Sequence, residues 1–250
     1  MEVNLDSGTW RLVKLIGTGS FGVVYECNGP SDEVGAIKLV PKDPSAAREL
    51  LMADSEYLRS AANIIPVEEI GETDTNFVLR MPLADASLGG RLVQSPVSAS
   101  EAVSIFIDIL DALVSIDGKV VHRDLKPKNI LLLSGKWCIS DFGIARYFGA
   151  TTASDTRKFA MTPHYAAPEQ WRNERATSAT DMYAFGIIAY EILSGKKPFD
   201  GTDTSELRSK HLTEVPLAIS GVDPRLSSII INCLNKVQGA RPSATNVISC

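Results

Sequence analysis

The apolar pattern of this 250-residue chain changes character once, at Pro82. Before it the runs are short and strand-like. Leu12-Val13 and Leu15-Ile16 lead into a glycine-rich turn, Val23-Val24-Tyr25 leads out, Ala36-Ile37 and Leu39-Val40 follow, and Phe77-Val78-Leu79 closes the series. One helix interrupts them: Asp43-Pro44 is a cap and first-turn pair, and Leu50, Leu51, Asp54, Tyr57, Leu58 and Ala61 share a face. After Pro82 helices dominate. Ser98 and Glu101 predict a capping box in front of a stripe of Val103, Phe106, Leu110 and Leu113, with Ile105, Ile109 and Ile116 beside it. Met182 to Leu193 is apolar nearly all round, which predicts a central core helix, and Leu226 to Leu234 is a further one. The segregation predicts an α+β, bilobal chain: a small β-rich N-lobe over about 10–80, a hinge over about 81–85 and a larger helical C-lobe over about 86–250.

Bulk properties narrow the function classes. A net charge of −5, with no basic run, argues against nucleic acid. The apolar stretch from Tyr183 to Tyr190 is far short of the roughly 20 residues that span a membrane, and the polar, acidic start Met1-Glu2-Val3-Asn4 shows no signal peptide. Cys27, Cys138, Cys233 and Cys250 form no C-x-x-C pair and read as reduced thiols of a cytoplasmic protein. His122, His164 and His211 are too dispersed for a metal cluster.

The chemistry concentrates in His122-Arg123-Asp124-Leu125-Lys126-Pro127-Lys128-Asn129. One short loop holds a candidate base (Asp124), a cation two residues on (Lys126) and an oxygen donor five residues on (Asn129), and Pro127 keeps it out of regular helix. Twelve residues past Asn129 comes Asp141-Phe142-Gly143, a second carboxylate at a strand-to-turn junction. Binding a metal nucleotide and orienting a hydroxyl needs this set: a base, two metal-binding oxygens and a phosphate-facing cation. The two motifs together resemble the catalytic loop and metal loop of eukaryotic-type protein kinases.

The N-terminal half carries matching features. Gly17-Thr18-Gly19-Ser20-Phe21-Gly22-Val23-Val24 is a glycine-rich turn that continues as strand, which disfavours a dinucleotide fold and favours a flap over phosphates, where backbone N–H groups approach without Cβ clashes. Gly35-Ala36-Ile37-Lys38 is similar to the family's lysine strand. Alone, Lys38 reads as a stem snorkelling to a sheet edge; within the set it reads as the phosphate anchor. Small Ala36 leaves room for a flat adenine, with Ile16 and Val24 above it and Leu131 below. The resemblance implies a helix glutamate as partner of Lys38; Glu49, Asp54 and Glu56 all remain open. The connection Arg80-Met81-Pro82-Leu83 lacks the family's acidic residue, and Pro82 lacks a backbone donor.

For the C-terminal half the resemblance implies that Asp124 orients the substrate hydroxyl, that Lys126 marks a serine/threonine-specific member, and that Asn129 and Asp141 hold Mg2+. Ala166-Ala167-Pro168-Glu169 is similar to the segment that closes the activation loop, and Thr162 matches the threonine that serine/threonine-specific members place near the catalytic base, with Met161 where the family has glycine before it. Arg241 matches the arginine that pairs with Glu169, and Asp181 the aspartate that opens the central helix. Arg123 matches the arginine that neutralises an activation-loop phosphate, for which the loop offers Thr151, Thr152, Ser154 and Thr156 as alternative acceptors in self-phosphorylation, with Arg157 and Lys158 nearby.

The resemblance thus implies a serine/threonine protein kinase, similar to bacterial members, with ATP and Mg2+ as nucleotide and metal and proteins as substrates. A pseudokinase acting as a nucleotide-binding or scaffolding module is the alternative, but its mark is loss of the lysine, the catalytic aspartate or the metal aspartate, and all three are present. A small-molecule kinase of the aminoglycoside or choline type would lack Lys126 and the Ala167-Pro168-Glu169 segment. The chain stops soon after Arg241, which predicts a domain of a longer protein with a regulatory or membrane-anchored remainder. Neither the substrate nor the oligomeric state is legible.

Overall fold

A computed structural model of the chain describes residues 1–19, 22–42, 55–142, 146–147 and 162–250. The N-terminal part is one antiparallel sheet built from β1 (Glu2–Leu5), β2 (Gly8–Gly19), β3 (Gly22–Asn28), β4 (Val34–Pro41), β5 (Glu69–Glu72) and β6 (Asn76–Pro82), in the order β1-β2-β3-β4-β6-β5. Side chains alternate across it. Val23, Tyr25, Cys27, Ile37, Leu39 and Val78 turn to one face and pack with Val3, Trp10 and Leu12. Cross-strand partners share a face, so the pairs Val24↔Lys38, Gly17↔Val24 and Ala36↔Met81 put Val24, Ala36 and Lys38 together on the other face.

Two strands were not legible in the sequence. β1 lies ahead of Trp10, yet Val3 is 3% exposed and pairs with it. β5 carries Glu69-Ile70-Gly71-Glu72, too short and polar a run to show a period. Both are edge strands whose place comes from the sheet beside them.

Between β4 and β5, α1 (Glu56–Ser60) buries Leu58 in the core of the helical part, and Glu56 is exposed. After β6 come β7 (Ala86–Ser87), α2 (Leu88–Leu92) and α3 (Ala99–Ile116). The Ser98 hydroxyl accepts the Glu101 N–H at 3.2 Å as the sequence suggests, but Glu101 does not return the bond: both its oxygens accept from Arg91 at 2.7 Å. The expected stripe of α3 is buried at Phe106, Leu110 and Leu113, as are Ile105, Ile109 and Ile116 beside it; Val103 alone departs, 50% exposed, while Ala102 next to it is buried.

The rest is β8 (Val120–Val121), β9 (Ile130–Leu133), β10 (Lys136–Ile139), β11 (Arg146–Tyr147), α4 (Pro168–Trp171), α5 (Ser178–Ser194), α6 (Thr204–Thr213), α7 (Pro224–Cys233) and α8 (Ala244–Ile248). α5 is buried from Thr180 to Tyr190 without a break and ends at Gly195 in the left-handed region, φ 72°. It packs against α3, with Phe106 and Phe185 rings edge-on at 5.8 Å. Asp108, buried within α3, accepts the Trp137 N–H at 3.0 Å, the Lys136 ammonium at 2.9 Å and an Asn63 bond at 3.5 Å, so its charge is fully partnered. Among the described residues no helix is long and apolar enough to cross a membrane.

Candidate active site

The loop after β8 is shaped by main-chain hydrogen bonds to one buried carboxylate. Asp181, in the first turn of α5, accepts the N–H of His122 and of Arg123, each at 2.8 Å. This holds Arg123 at φ 72°, a conformation that costs a non-glycine residue about 1 kcal/mol or more. The turn re-aims the chain so that Asp124, next in sequence, enters the cleft. His122 is fully buried against Phe142, with ring centroids 4.8 Å apart. Its Nε2 donates to the Ser140 carbonyl at 2.9 Å while Nδ1 accepts the Asp124 N–H at 3.2 Å, the one tautomer that satisfies both.

Around Asp124 gather Lys126 and Asn129, and also Thr162, the threonine that the resemblance places near the base. Lys126 Nζ donates to Asp124 Oδ2 at 2.6 Å. Asn129 Nδ2 donates to the Asp124 carbonyl at 3.0 Å. Thr162 Oγ1 donates to Asp124 Oδ1 at 2.9 Å and accepts from Lys126 at 3.0 Å. Pro127–Asn129 forms a single tight turn, and the Asn129 carbonyl accepts both the N–H and the hydroxyl of Ser140 at 2.8 and 3.1 Å. Asn129 is thereby fixed beside the segment that carries Asp141.

Asp141 meets Lys38 across the cleft, Oδ1 to Nζ 2.8 Å. Burial raises the Asp141 carboxyl, but the Lys38 charge and hydrogen bond outweigh it and hold the group below its ordinary value. Its backbone also sits in the left-handed region, φ 65°. Among the described residues Asn129 Oδ1 and Asp141 Oδ2 accept no hydrogen bond. Among the described residues no three His, Cys, Asp or Glu side chains converge as a metal cluster. Two free oxygens completed by phosphate and water suit Mg2+, which keeps part of its hydration shell.

Of the residues expected to line a nucleotide, Ile16, Val24 and Ala36 lie on the N-terminal sheet and Leu131 on β9 of the smaller sheet β10-β9-β7. Ile16 is 44% exposed, Val24 and Leu131 are half-buried, and none of the three belongs to a core cluster; Ala36 is buried but likewise outside them. The glycines divide by cause. A Cβ on Gly22 would come 2.2 Å from the Leu39 carbonyl oxygen, so the sheet itself demands glycine there. Gly17 and Gly19 have room for one: the nearest atoms lie at 3.6 and 4.0 Å. Packing does not account for glycine at those two positions.

Behind the cleft Glu169, at the start of α4, takes a forked pair of bonds from Arg241, both 2.8 Å, and one from Thr180 at 2.7 Å. Sequence reasoning did not assign roles to Ser140 or Gln170. Gln170 Nε2 donates to the Arg123 carbonyl at 2.8 Å while its Oε1 caps the Ala167 N–H. Both act through main-chain atoms of residues far away in sequence, so no local pattern marks them. Glu49, Asp54, Phe21, Gly143, Met161, Thr151, Thr152, Ser154, Thr156, Arg157 and Lys158 lie outside the described residues.

A β-sheet part and a helical part that enclose a lysine–aspartate pair and a buried His-Arg-Asp loop make up a bilobal fold of the kinase type. The chain belongs to the protein kinase family: the model of the protein kinase domain matches residues 10–250. It is 31% identical to the probable serine/threonine-protein kinase PknB of Lactococcus lactis, over 91% of this chain and 38% of that protein. It is 29% identical to the serine/threonine-protein kinase PrkC of Bacillus subtilis (94% and 38%) and 32% identical to PkaA of Streptomyces coelicolor (95% and 48%). The chain therefore spans less than half the length of these curated relatives.

Proposed function

We propose that this domain transfers the γ-phosphoryl group of Mg-ATP to serine and threonine hydroxyls of proteins, with residues 10–250 as one kinase domain hinged at about 81–85. The observation that carries the reading is the convergence of Asp124, Lys126, Asn129 and Thr162 on one side of the cleft with Lys38 and Asp141 on the other. Asp124 is 7% exposed and fixed at backbone and carboxylate, so it can orient an incoming hydroxyl and receive its proton as the oxygen attacks phosphorus. The bond from phosphorus to the bridging oxygen of ADP breaks in the same step. Lys126 would balance charge on the transferred group from the acceptor side, and Lys38 would hold the nucleotide phosphates from the other.

Asn129 Oδ1 and the Asp141 carboxylate would hold Mg2+, whose charge neutralises the phosphate oxygens. Ile16, Val24, Ala36 and Leu131 offer an apolar slot for adenine, and Gly17, Gly19 and Gly22 a backbone flap over the phosphates. Support for the flap comes from the spare room at Gly17 and Gly19. The reading includes transfer to the chain's own Thr151, Thr152, Ser154 or Thr156.

Incubation with labelled ATP and magnesium tests it, with Asp124→Asn and Lys38→Ala in parallel. Label on serine or threonine in the parent protein alone is expected. Equal label in parent and Asp124→Asn, or none in either, rejects the reading. Nucleotide binding without transfer would mark a pseudokinase.

A further inference from the structure

A second cavity opens on the helical side of the Asp124 cluster. It has a volume of about 550 Å3, and Lys126 and Thr162 form part of its wall, so it is continuous with the place where an acceptor hydroxyl must sit. Its far wall is apolar, from Leu92, Pro96 and Val97. Its charged lining is Lys126, Lys128 and Glu191.

These charges are not equally available. Lys126 is engaged with Asp124 at 2.6 Å. Glu191 accepts the Tyr165 hydroxyl at 2.7 Å and the Lys197 ammonium at 3.1 Å, so its charge is spent inside the wall. Nearby Arg91 is forked onto Glu101. Lys128 differs: it is exposed and makes no ion pair among the described residues. Its backbone is nonetheless rigid, since it lies between buried Pro127 and buried Asn129. Its stem lies against α2, where a Cβ on Gly89 would come 3.2 Å from Lys128 Cγ and 3.4 Å from its backbone nitrogen. A fixed base with an unengaged cation, four residues from Asp124, is placed to read the charge of a neighbouring side chain of the acceptor segment.

We infer that Lys128 is a specificity-determining residue and that this cavity takes an acidic stretch of the protein substrate, with an aspartate or glutamate close to the acceptor serine or threonine. The inference rests on the phosphoryl-transfer reading for the acceptor, but peptide binding tests it without turnover. A carboxylate about 4 Å from Lys128 at the surface is worth about a five-fold preference at low salt, shrinking as salt rises.

The test uses serine peptides that differ only in carrying Glu, Gln or Lys at each of the three positions on either side of the acceptor. Anisotropy gives their binding to the parent protein, to Lys128→Arg and to Lys128→Glu, and label transfer is followed in parallel. The expected result is binding in the order Glu, Gln, Lys for at least one position, kept in Lys128→Arg, inverted in Lys128→Glu and compressed by salt. Equal binding of the three series to the parent protein, a preference for Lys, or a Glu preference that survives in Lys128→Glu overturns it. Should Lys128→Glu fail to fold, the parent order and its salt dependence still decide. Charge-ordered binding without transfer to any peptide would support this inference while sinking the kinase reading.

Discussion

Asp181 accepts the main-chain N–H groups of His122 and Arg123 at equal distances of 2.8 Å, so one buried carboxylate on the central helix sets the path of the loop that presents Asp124. The interaction is with backbone atoms, so it fixes geometry whatever side chains the loop carries. An Asp181→Ala variant would strand two buried donors, at about 1–3 kcal/mol each. We expect a lower melting temperature and a kcat loss with little change in the KM for ATP, checked by thermal denaturation and steady-state kinetics. Unchanged kcat would show that the loop holds its shape without Asp181.

The bridge from Thr162 to both Asp124 and Lys126 predicts a graded response. Thr162→Ser keeps the hydroxyl and should stay near parental kcat. Thr162→Val keeps the shape and loses both bonds, each of them charge-assisted; a reduction of about ten-fold or more is expected. Asp124→Asn should cost about 10²–10⁴-fold, the range for a positioned base, while nucleotide binding by calorimetry stays within two-fold of parental as a rough bound.

The Glu169–Arg241 pair is 3% and 0% exposed at its side chains. Removing one partner leaves the other buried and alone, so Arg241→Met should destabilise by about 3–5 kcal/mol, and the double variant Glu169→Leu/Arg241→Met should recover much of that. Chemical denaturation of the three proteins measures it. Additive losses would contradict a mutual pair.

The same pair sets an acid limit. Burial raises the Glu169 carboxyl, but the Arg241 and Thr180 hydrogen bonds outweigh it and hold it below its ordinary 4.5. Asp141 is held below its ordinary 3.8 in the same sense by Lys38. As pH falls the unfolded chain takes up protons first, so this stabilisation is present above about pH 4.5 and is lost as the pH drops through the lowered folded values. Stability measured from pH 7 to 3 should fall less steeply in the Glu169→Leu/Arg241→Met protein than in the parent.

Two glycines of the flap should separate by mechanism. Gly22→Ala brings a Cβ within 2.2 Å of the Leu39 oxygen at φ 151° and should cost roughly 1–3 kcal/mol of stability. Gly19→Ala meets no such obstacle and should melt with the parent while the KM for ATP rises. A stability loss at Gly19 equal to that at Gly22 would remove the argument for a phosphate-facing flap.

Much was legible before any coordinates. The strand-like runs ahead of Pro82, the all-round apolar helix from Met182 and the spaced set Lys38, Asp124, Lys126, Asn129 and Asp141 follow from local periodicity and from residue types that a given chemistry needs. What stayed hidden depends on contacts over long separations. The edge strands β1 and β5 have too few residues to show a period. Val103 alone of the apolar positions expected to be buried in α3 is half-exposed, because the packed neighbours and not the helix itself decide where the buried face ends. Sequence alone therefore determined which side chains are available for the proposed phosphoryl transfer and roughly where strands give way to helices. Only the tertiary structure decided that Ser140, Gln170 and Asp181 hold the loop through main-chain bonds, and that Lys128 makes no ion pair among the described residues while Glu191 does. Hydrogen bonds to main-chain atoms across 18 to 59 residues leave no periodic or spaced trace in the chain.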